Sequence, residues 1–317
     1  MSKPFNYGGQ AVIEGVMMRG RRYMTIGVRK PGADGEPDPN GEIVIHSEPL
    51  NPRIYNSWIN KVPFVRGVTM LWDALGLGMR ALMYSADVAM DEEEASFEGP
   101  VAWGTVAVSL ALAVGIFFVA PLLIIGWLEQ FLGEGMLSNI IEGVLRLLIF
   151  IGYVWGIGFL PDVQRVFGYH GAEHKAINAY EHGADLMPEE VAKHSITHPR
   201  CGTAFLLIVM VISIFIFVLL GTPPIWIRII SRILLIPVIA GLAYEFLRFS
   251  AAHSNNPLMR LLIAPGLWLQ GLTTREPDVS MLEVAATALT RLLELEQMLP
   301  EADSSSSITT EPVGLSD

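Results

Sequence analysis

Uncharged apolar stretches of bilayer length alternate along this chain with polar segments. The clearest runs from Val101 to Trp127 without a single charge. A hydrocarbon core of about 30 Å takes roughly 20 apolar residues as helix, so this run predicts a spanning helix. A second span is expected from about Gly143 to Leu160, with Arg146 near one end, where its guanidinium could snorkel to water. The third starts at Gly202 and stays uncharged to Ile227, interrupted by a turn at Thr222-Pro223-Pro224. A fourth, about Ile225 to Leu247, holds Arg228, Arg232, Glu245 and Pro237. Four spans with few charges inside them offer little for an ion path, which argues against a transporter.

Other periods mark the rest of the chain. In Val62 to Met90 the only charges are Arg66, Asp73, Arg80 and Asp87, one every seven residues. Seven helical steps return to nearly the same face, so they form a narrow stripe on an apolar helix. Such a helix lies in the membrane interface or along the bundle; the alternative is a re-entrant or fifth span. Asp91-Glu92-Glu93-Glu94 after it reads as a solvated linker. Tyr23 to Arg29 and Glu42 to Ser47 alternate as strands do, separated by the Gly- and Pro-rich Pro31 to Asn40. With Ala11 to Met17 they suggest a small β element. Pro257 to Leu272 is apolar with a Pro265-Gly266 break, an expected re-entrant or interfacial hairpin. Val279 to Met298 reads as an amphipathic helix.

The organisation that follows is mainly α, a polytopic helical membrane protein of about four spans with a small N-terminal β element and amphipathic interfacial helices. A β-rich element occupies 1–60 and an amphipathic or re-entrant helix 61–90. The membrane domain is 101–272, with a His-rich cytoplasmic loop at 161–201. A C-terminal helix at 273–298 and a disordered, Ser-rich tail at 299–317 complete it.

Composition agrees with the membrane reading. Of 317 residues 51% are hydrophobic and 17% charged, with mean hydropathy +0.44; soluble domains carry roughly 25% charged residues. A net charge of −11 argues against a nucleic-acid partner. The single cysteine, Cys201, excludes an intramolecular disulfide. MSKPFNYGGQ lacks the apolar core of a secretory signal, so no cleaved leader is expected. Lys and Arg concentrate before the first span, between the second and third, and after the fourth, whereas the first connector carries Glu129, Glu134 and Glu142. By the positive-inside rule both termini and the 161–201 loop should be cytoplasmic.

Candidate chemistry gathers in that loop. Five of the seven histidines fall between His170 and His198, and Cys201 follows. His170, Glu173 and His174 form an H-x-x-E-H motif. On a helix, histidines at i and i+4 share a face and can meet one ion, while the glutamate beside them can act on water, as in inverzincin-type hydrolases. The ion expected is a divalent transition metal. Mixed N, O and S donors suit zinc, and also iron. The third ligand is open between His198, Cys201 and Glu245. Glu181 shares the face of His174 but lies too far along the helix for the same ion, so it is a neighbouring or substrate-contacting candidate. Cys201 at a helix start is also a candidate nucleophile, or simply a packed small residue. Glu14, unusual in a segment that reads as an apolar strand, is a further candidate. Isolated histidines in such a loop are more often hydrogen-bonded structural residues than ligands; the clustering is what favours a metal.

GGQAVIEGVMMRG, FGYHGAEHKAINAYEHG, HPRCGTAFL and LTTREPD, in this order, resemble the YqhQ-like family, bacterial membrane proteins grouped as domain of unknown function 1385. The resemblance runs from about Tyr7 to Leu289. It implies a multi-pass protein of the bacterial cytoplasmic (inner) membrane and a metal-dependent enzyme, and it supplies no reaction. Two classes of function remain. One is a membrane-embedded hydrolase acting on a peptide or lipid-linked substrate among membrane lipid, with Glu173 as its acid–base group. The other is a non-catalytic, metal-stabilised scaffold or assembly factor. The sequence leaves the oligomeric state open.

Overall fold

A computed structural model describes residues 7–52, 62–90, 100–133, 135–221, 223–253 and 256–297. The acidic run at 91–94 and the Ser-rich tail lie outside the described residues. Four strands, β1 (Gly8–Val12), β2 (Gly15–Arg19), β3 (Tyr23–Arg29) and β4 (Ile43–Pro49), form one antiparallel sheet in sequence order. Successive side chains of a strand point to opposite faces, and here both faces are covered. Val16 and Met18 enter one apolar cluster, while Met17 joins Met24, Ile26 and Val28 in another.

The stretch Ala11–Met17 corrects the expectation of a single strand. It is a hairpin in which Val12 pairs with Gly15 and the chain reverses at Ile13-Glu14. Glu14 adopts φ 50°, the left-handed region that side chains resist, so it is a turn residue and not part of an apolar strand. Its carboxylate accepts from Arg165 at 2.6 and 2.5 Å, which ties the turn to the helix carrying the histidines.

The helices are α1 (Val65–Met90), α2 (Pro100–Val114), α3 (Ala120–Leu132), α4 (Met136–Ile157), α5 (Pro161–Glu181), α6 (Pro188–Val191), α7 (Gly202–Leu219), α8 (Ile225–Ala252), α9 (Pro257–Thr273) and α10 (Val279–Gln297). The first half of 161–201, expected as a loop, is therefore the helix α5. α10 and α5 cover one face of the sheet. Thr25 Oγ1 donates to the carbonyl of Ala288 at 2.8 Å, and a Cβ on Gly27 would meet Ala288 at 3.0 Å, so α10 lies close against β3. α1 covers the other face through Leu77 and Ala81 and turns Trp72 and Leu75 outward.

Among the described residues, four helices are long and apolar enough to cross a membrane: Trp103–Phe131, Met136–Ile157, Gly202–Leu219 and Trp226–Ser250. The first joins α2 to α3 through a π-helical turn, Gly115–Val119. At most 33% of any span is buried within the protein, so their apolar surface faces outward. α1 is not among the four. It is docked on α8, where Arg66 meets Glu245 at 2.7 and 2.5 Å and Gly67 packs on Tyr244 and Gly241. α9 corrects the expected hairpin, because it runs as one helix through Pro265. A proline removes a single main-chain donor, and Gly266 beside it lets the helix approach Ala204 of α7, where a Cβ would sit 3.0 Å from that methyl.

The spans hold more charge than their composition suggests. Arg146 does not snorkel: it is 1% exposed and bonds Glu142 at 2.6 Å. Its Nε donates to the carbonyl of Phe117, inside the π turn, at 3.0 Å. Glu142 also takes Arg232, and Arg228 meets Glu129 at 2.9 Å. The rings of Phe118 and Phe217 lie against these guanidiniums. Three arginines and two glutamates thus join all but the third span, which contributes Phe217. Glu142→Gln should leave two buried arginines without their counter-ion and lower stability in detergent by about 3 kcal/mol or more. Replacing Glu142, Arg146 and Arg232 together by Met should recover most of that loss. An unchanged denaturation midpoint for Glu142→Gln would show that the network carries no stability.

Candidate metal centre

α5 opens with Pro161 in its first turn and Asp162 beside it, both favourable at a helix N-terminus. From Phe167 to Ala179 almost every residue is buried, whichever way it points. Small residues make this burial feasible: a Cβ on Gly171 would sit 2.2 Å from the carbonyl of Arg275. A helix buried all round that still carries His, Glu, Lys and Asn must satisfy each of them internally.

The two histidines are satisfied in the same way. His170 Nδ1 lies 2.8 Å from the carbonyl oxygen of Thr273, and His174 Nδ1 lies 2.6 Å from that of Ile196. A carbonyl only accepts, so Nδ1 carries the hydrogen in both rings. The Nε2 lone pairs are then left facing the site, the arrangement by which a backbone carbonyl orients a metal-binding imidazole. Opposite them stands Cys201, which caps the N-terminus of α7 and accepts from the Thr203 N–H. Its Sγ is 3.2 Å from His170 Nε2. The ligand atoms of His170, His174 and Cys201 all lie within 4.8 Å of one another, the one such group among the described residues.

Glu173 stands beside this cluster. Its Oε2 is 3.6 Å from His174 Nε2, and it accepts a hydrogen bond from the Gly9 N–H. Burial pushes its carboxyl up to about 7, against the opposing pull of His170 and the Gly9 N–H. It can therefore exist with or without its proton near neutrality.

The remaining candidates are engaged elsewhere. The ring of His198 lies 5.8 Å from that of His174, but its Nε2 is 3.3 Å from Arg200 Nη2 and 3.6 Å from Glu181 Oε2. Burial, with Arg200 and His174 nearby, pushes its pKa down to about 3, which keeps the ring neutral. Glu181 pairs with Arg200, Glu245 with Arg66, and Glu14 with Arg165. Of the proposed third donors, the fold brings Cys201 to the histidines and leaves His198 and Glu245 with other partners.

Several site residues escape a reading by motif. Lys175 Nζ donates to the carbonyl of Ala192, and Asn178 Nδ2 to those of Ser195 and Thr197. Together with His174 they strap the segment after α6 onto α5. Gln270 then clamps His198 from α9, accepting from its N–H and donating to its carbonyl. Arg275 N donates to Phe167, and Lys175 pairs with Glu276 at 2.6 Å. The signal available in sequence was the density of polar residues on a helix with no polar face.

These features define a polytopic helical membrane protein with a largely buried His–His–Cys cluster, flanked by a glutamate, where a sheet domain meets its spans. The chain belongs to the family described as Protein of unknown function (DUF1385), which matches residues 62–295. It is also 33% identical over 310 residues to the "Uncharacterized protein YqhQ" of Bacillus subtilis (strain 168), across 93% of this chain and 94% of that protein. That coverage extends into the strands ahead of residue 62. No solved structure matches the chain significantly.

The clamp on His198 gives a direct test of how the site is held. Gln270→Leu orphans a buried N–H and a buried carbonyl, each costing about 1–3 kcal/mol. Amide exchange at His198 to Gly202 should rise by tenfold or more while exchange in the middle of α7 stays slow. Equal protection in both proteins would mean that the segment is held without the clamp.

Proposed function

We propose that the protein is a metal-dependent hydrolase of the bacterial cytoplasmic membrane, working at the cytoplasmic face on a peptide or lipid-linked substrate. The observation that carries this reading is the orientation of His170 and His174, each tied by Nδ1–H to a carbonyl so that two Nε2 lone pairs meet Cys201 Sγ. Nitrogen and sulfur donors in this number suit zinc first and iron second. Such an ion would supply Lewis acidity toward a carbonyl or phosphoryl group and toward water. Glu173, oriented by Gly9, would take and return the proton. The positive-inside distribution of Lys and Arg supports cytoplasmic termini.

A second reading rests on one distance, the 3.2 Å between His170 Nε2 and Cys201 Sγ at the start of α7. An imidazole beside a thiol at a helix N-terminus is also the arrangement of a cysteine nucleophile and its base.

Metal analysis of the purified full chain, with complementation of a deletion strain, separates these readings. The hydrolase reading expects about one ion per chain, and loss of most of it in His170→Ala/His174→Ala. Glu173→Gln should keep the ion and lose complementation, because it retains shape and removes the base. Complementation by a metal-loaded Glu173→Gln would leave a metal-stabilised scaffold. A metal-free wild type whose Cys201 is alkylated by iodoacetamide only when His170 is intact would support the nucleophile.

A further inference from the structure

A cavity of about 440 Å³ lies between the sheet, α1 and the membrane ends of α7 and α8. Its floor is the β1–β2 pair, including Gly9 and Arg19. One wall is α1 with Met70, Leu71, Ala74 and Leu77, and the other includes Arg200, Phe205 and Leu247. The cavity borders the candidate centre twice. Arg200 and Gly202 flank Cys201 in sequence, and Gly9 separates the floor from Glu173. A Cβ on Gly9 would sit 3.0 Å from Glu173 Cγ, so only a bare backbone stands between cavity and carboxylate.

Two further observations describe what fits. Among the described lining residues the charged side chains are Arg19 and Arg200, the latter also paired with Glu181 outside the lining, while the walls are apolar. Arg19 reaches across the cavity to Met70, its Nη2 3.7 Å from Sδ. The outer side of α1 exposes Trp72 (79%) and Leu75, with Phe64 exposed just ahead of the helix, whose first turn meets the fourth span through Arg66 and Glu245. An apolar outer face with an exposed Trp is the pattern of a helix in the bilayer interface, so this cavity wall is suited to contact with lipid.

We infer that the cavity binds an anionic lipid, its phosphate or carboxylate head between Arg19 and Arg200 and its chain along Met70, Ala74 and Phe205. This deepens the hydrolase reading by naming its substrate class, and it rests on that reading for the chemistry though not for the binding. A guanidinium pair reads a planar or tetrahedral anion well, whereas a peptide would present unpaired main-chain groups to the apolar walls. The same head chemistry occurs in free phosphate, so the chain must be shown to matter.

The test is photocrosslinking of the full chain in phosphatidylcholine vesicles with a diazirine-bearing alkyl phosphate, the labelled peptides being identified by mass spectrometry. Label is expected on α1 between Met70 and Leu77 and on Phe205. Hexadecyl phosphate should compete, and neither hexadecanol nor inorganic phosphate should. Arg19→Gln should weaken labelling by about tenfold, the loss of one charge-assisted contact. Ala74→Trp should abolish it by filling the cavity, with an unshifted gel-filtration profile as the check on folding. His170→Ala and Glu173→Gln should label as the wild type does, so failure of the metal reading leaves this result standing. Competition by hexadecanol as strong as by the phosphate would overturn the role of the arginines. Competition by inorganic phosphate alone would assign the site to the free anion. Labelling unaffected by both Arg19→Gln and Ala74→Trp would place the lipid elsewhere.

Discussion

Two hydrogen bonds from imidazole Nδ1 to main-chain carbonyls hold the centre of this protein together. One carbonyl, that of Thr273, ends α9 as the chain leaves the membrane domain; the other, of Ile196, lies in the segment strapped over α5. The bonds turn both rings, so the same contacts that orient the Nε2 atoms also bind two distant stretches of chain to one helix. A group that needs a defined orientation and a backbone that needs a donor satisfy each other. Lys175 and Asn178 repeat the device from the same helix, spending their hydrogens on the carbonyls of Ala192, Ser195 and Thr197. The residues around the histidines are therefore as much structural as chemical, and the positions of Cys201 and Glu173 follow from them.

What sequence discloses here is what depends on near neighbours. The spans follow from local apolar runs, and β3 and β4 from alternation. The pairing of His170 with His174 follows from helical spacing. The third donor did not emerge, because His198, Cys201 and Glu245 are equally plausible until the segment after α6 is placed, and that placement depends on Gln270, seventy-two residues from His198. Glu14 was misplaced for a related reason. A turn that forces a non-glycine residue to φ 50° has no glycine to announce it, and the Arg165 contact that helps hold it lies far along the chain. Arg146 looked like a snorkelling residue because only Glu142, one turn away, is local to it; the Phe117 carbonyl and Arg232, which shares Glu142, sit on other elements.

Glu173 illustrates how one glycine sets chemistry. Gly9 brings a main-chain N–H against the carboxylate, and β1 can come that close only because Gly9 has no side chain: a Cβ there would also meet the Met17 carbonyl at 2.3 Å. Burial raises the carboxyl while His170 and that N–H lower it, and burial wins. A glutamate bound by a full set of N–H donors would instead be fixed as the anion. Burial against these opposing contacts is what leaves Glu173 able to exchange a proton, and the sheet, through Gly9, supplies one of them.

In lipid, apolar packing does little to fix the rotation of a helix about its axis, because the hydrocarbon is as apolar as a leucine side chain. Charges supply the missing specificity. α8 is pinned near one end by Arg228 and Arg232 to Glu129 and Glu142, and near the other by Glu245 to Arg66. Any rotation of α8 would send one of these groups toward hydrocarbon, at a cost of roughly 3 kcal/mol or more for each charge near the bilayer centre. The pair at the far end therefore determines which way Glu245 faces, and Glu245 in turn fixes where α1 begins. Since α1 is both a cover of the sheet and a wall of the cavity beside Cys201, the buried charges on one side of the membrane set the shape of the candidate site on the other.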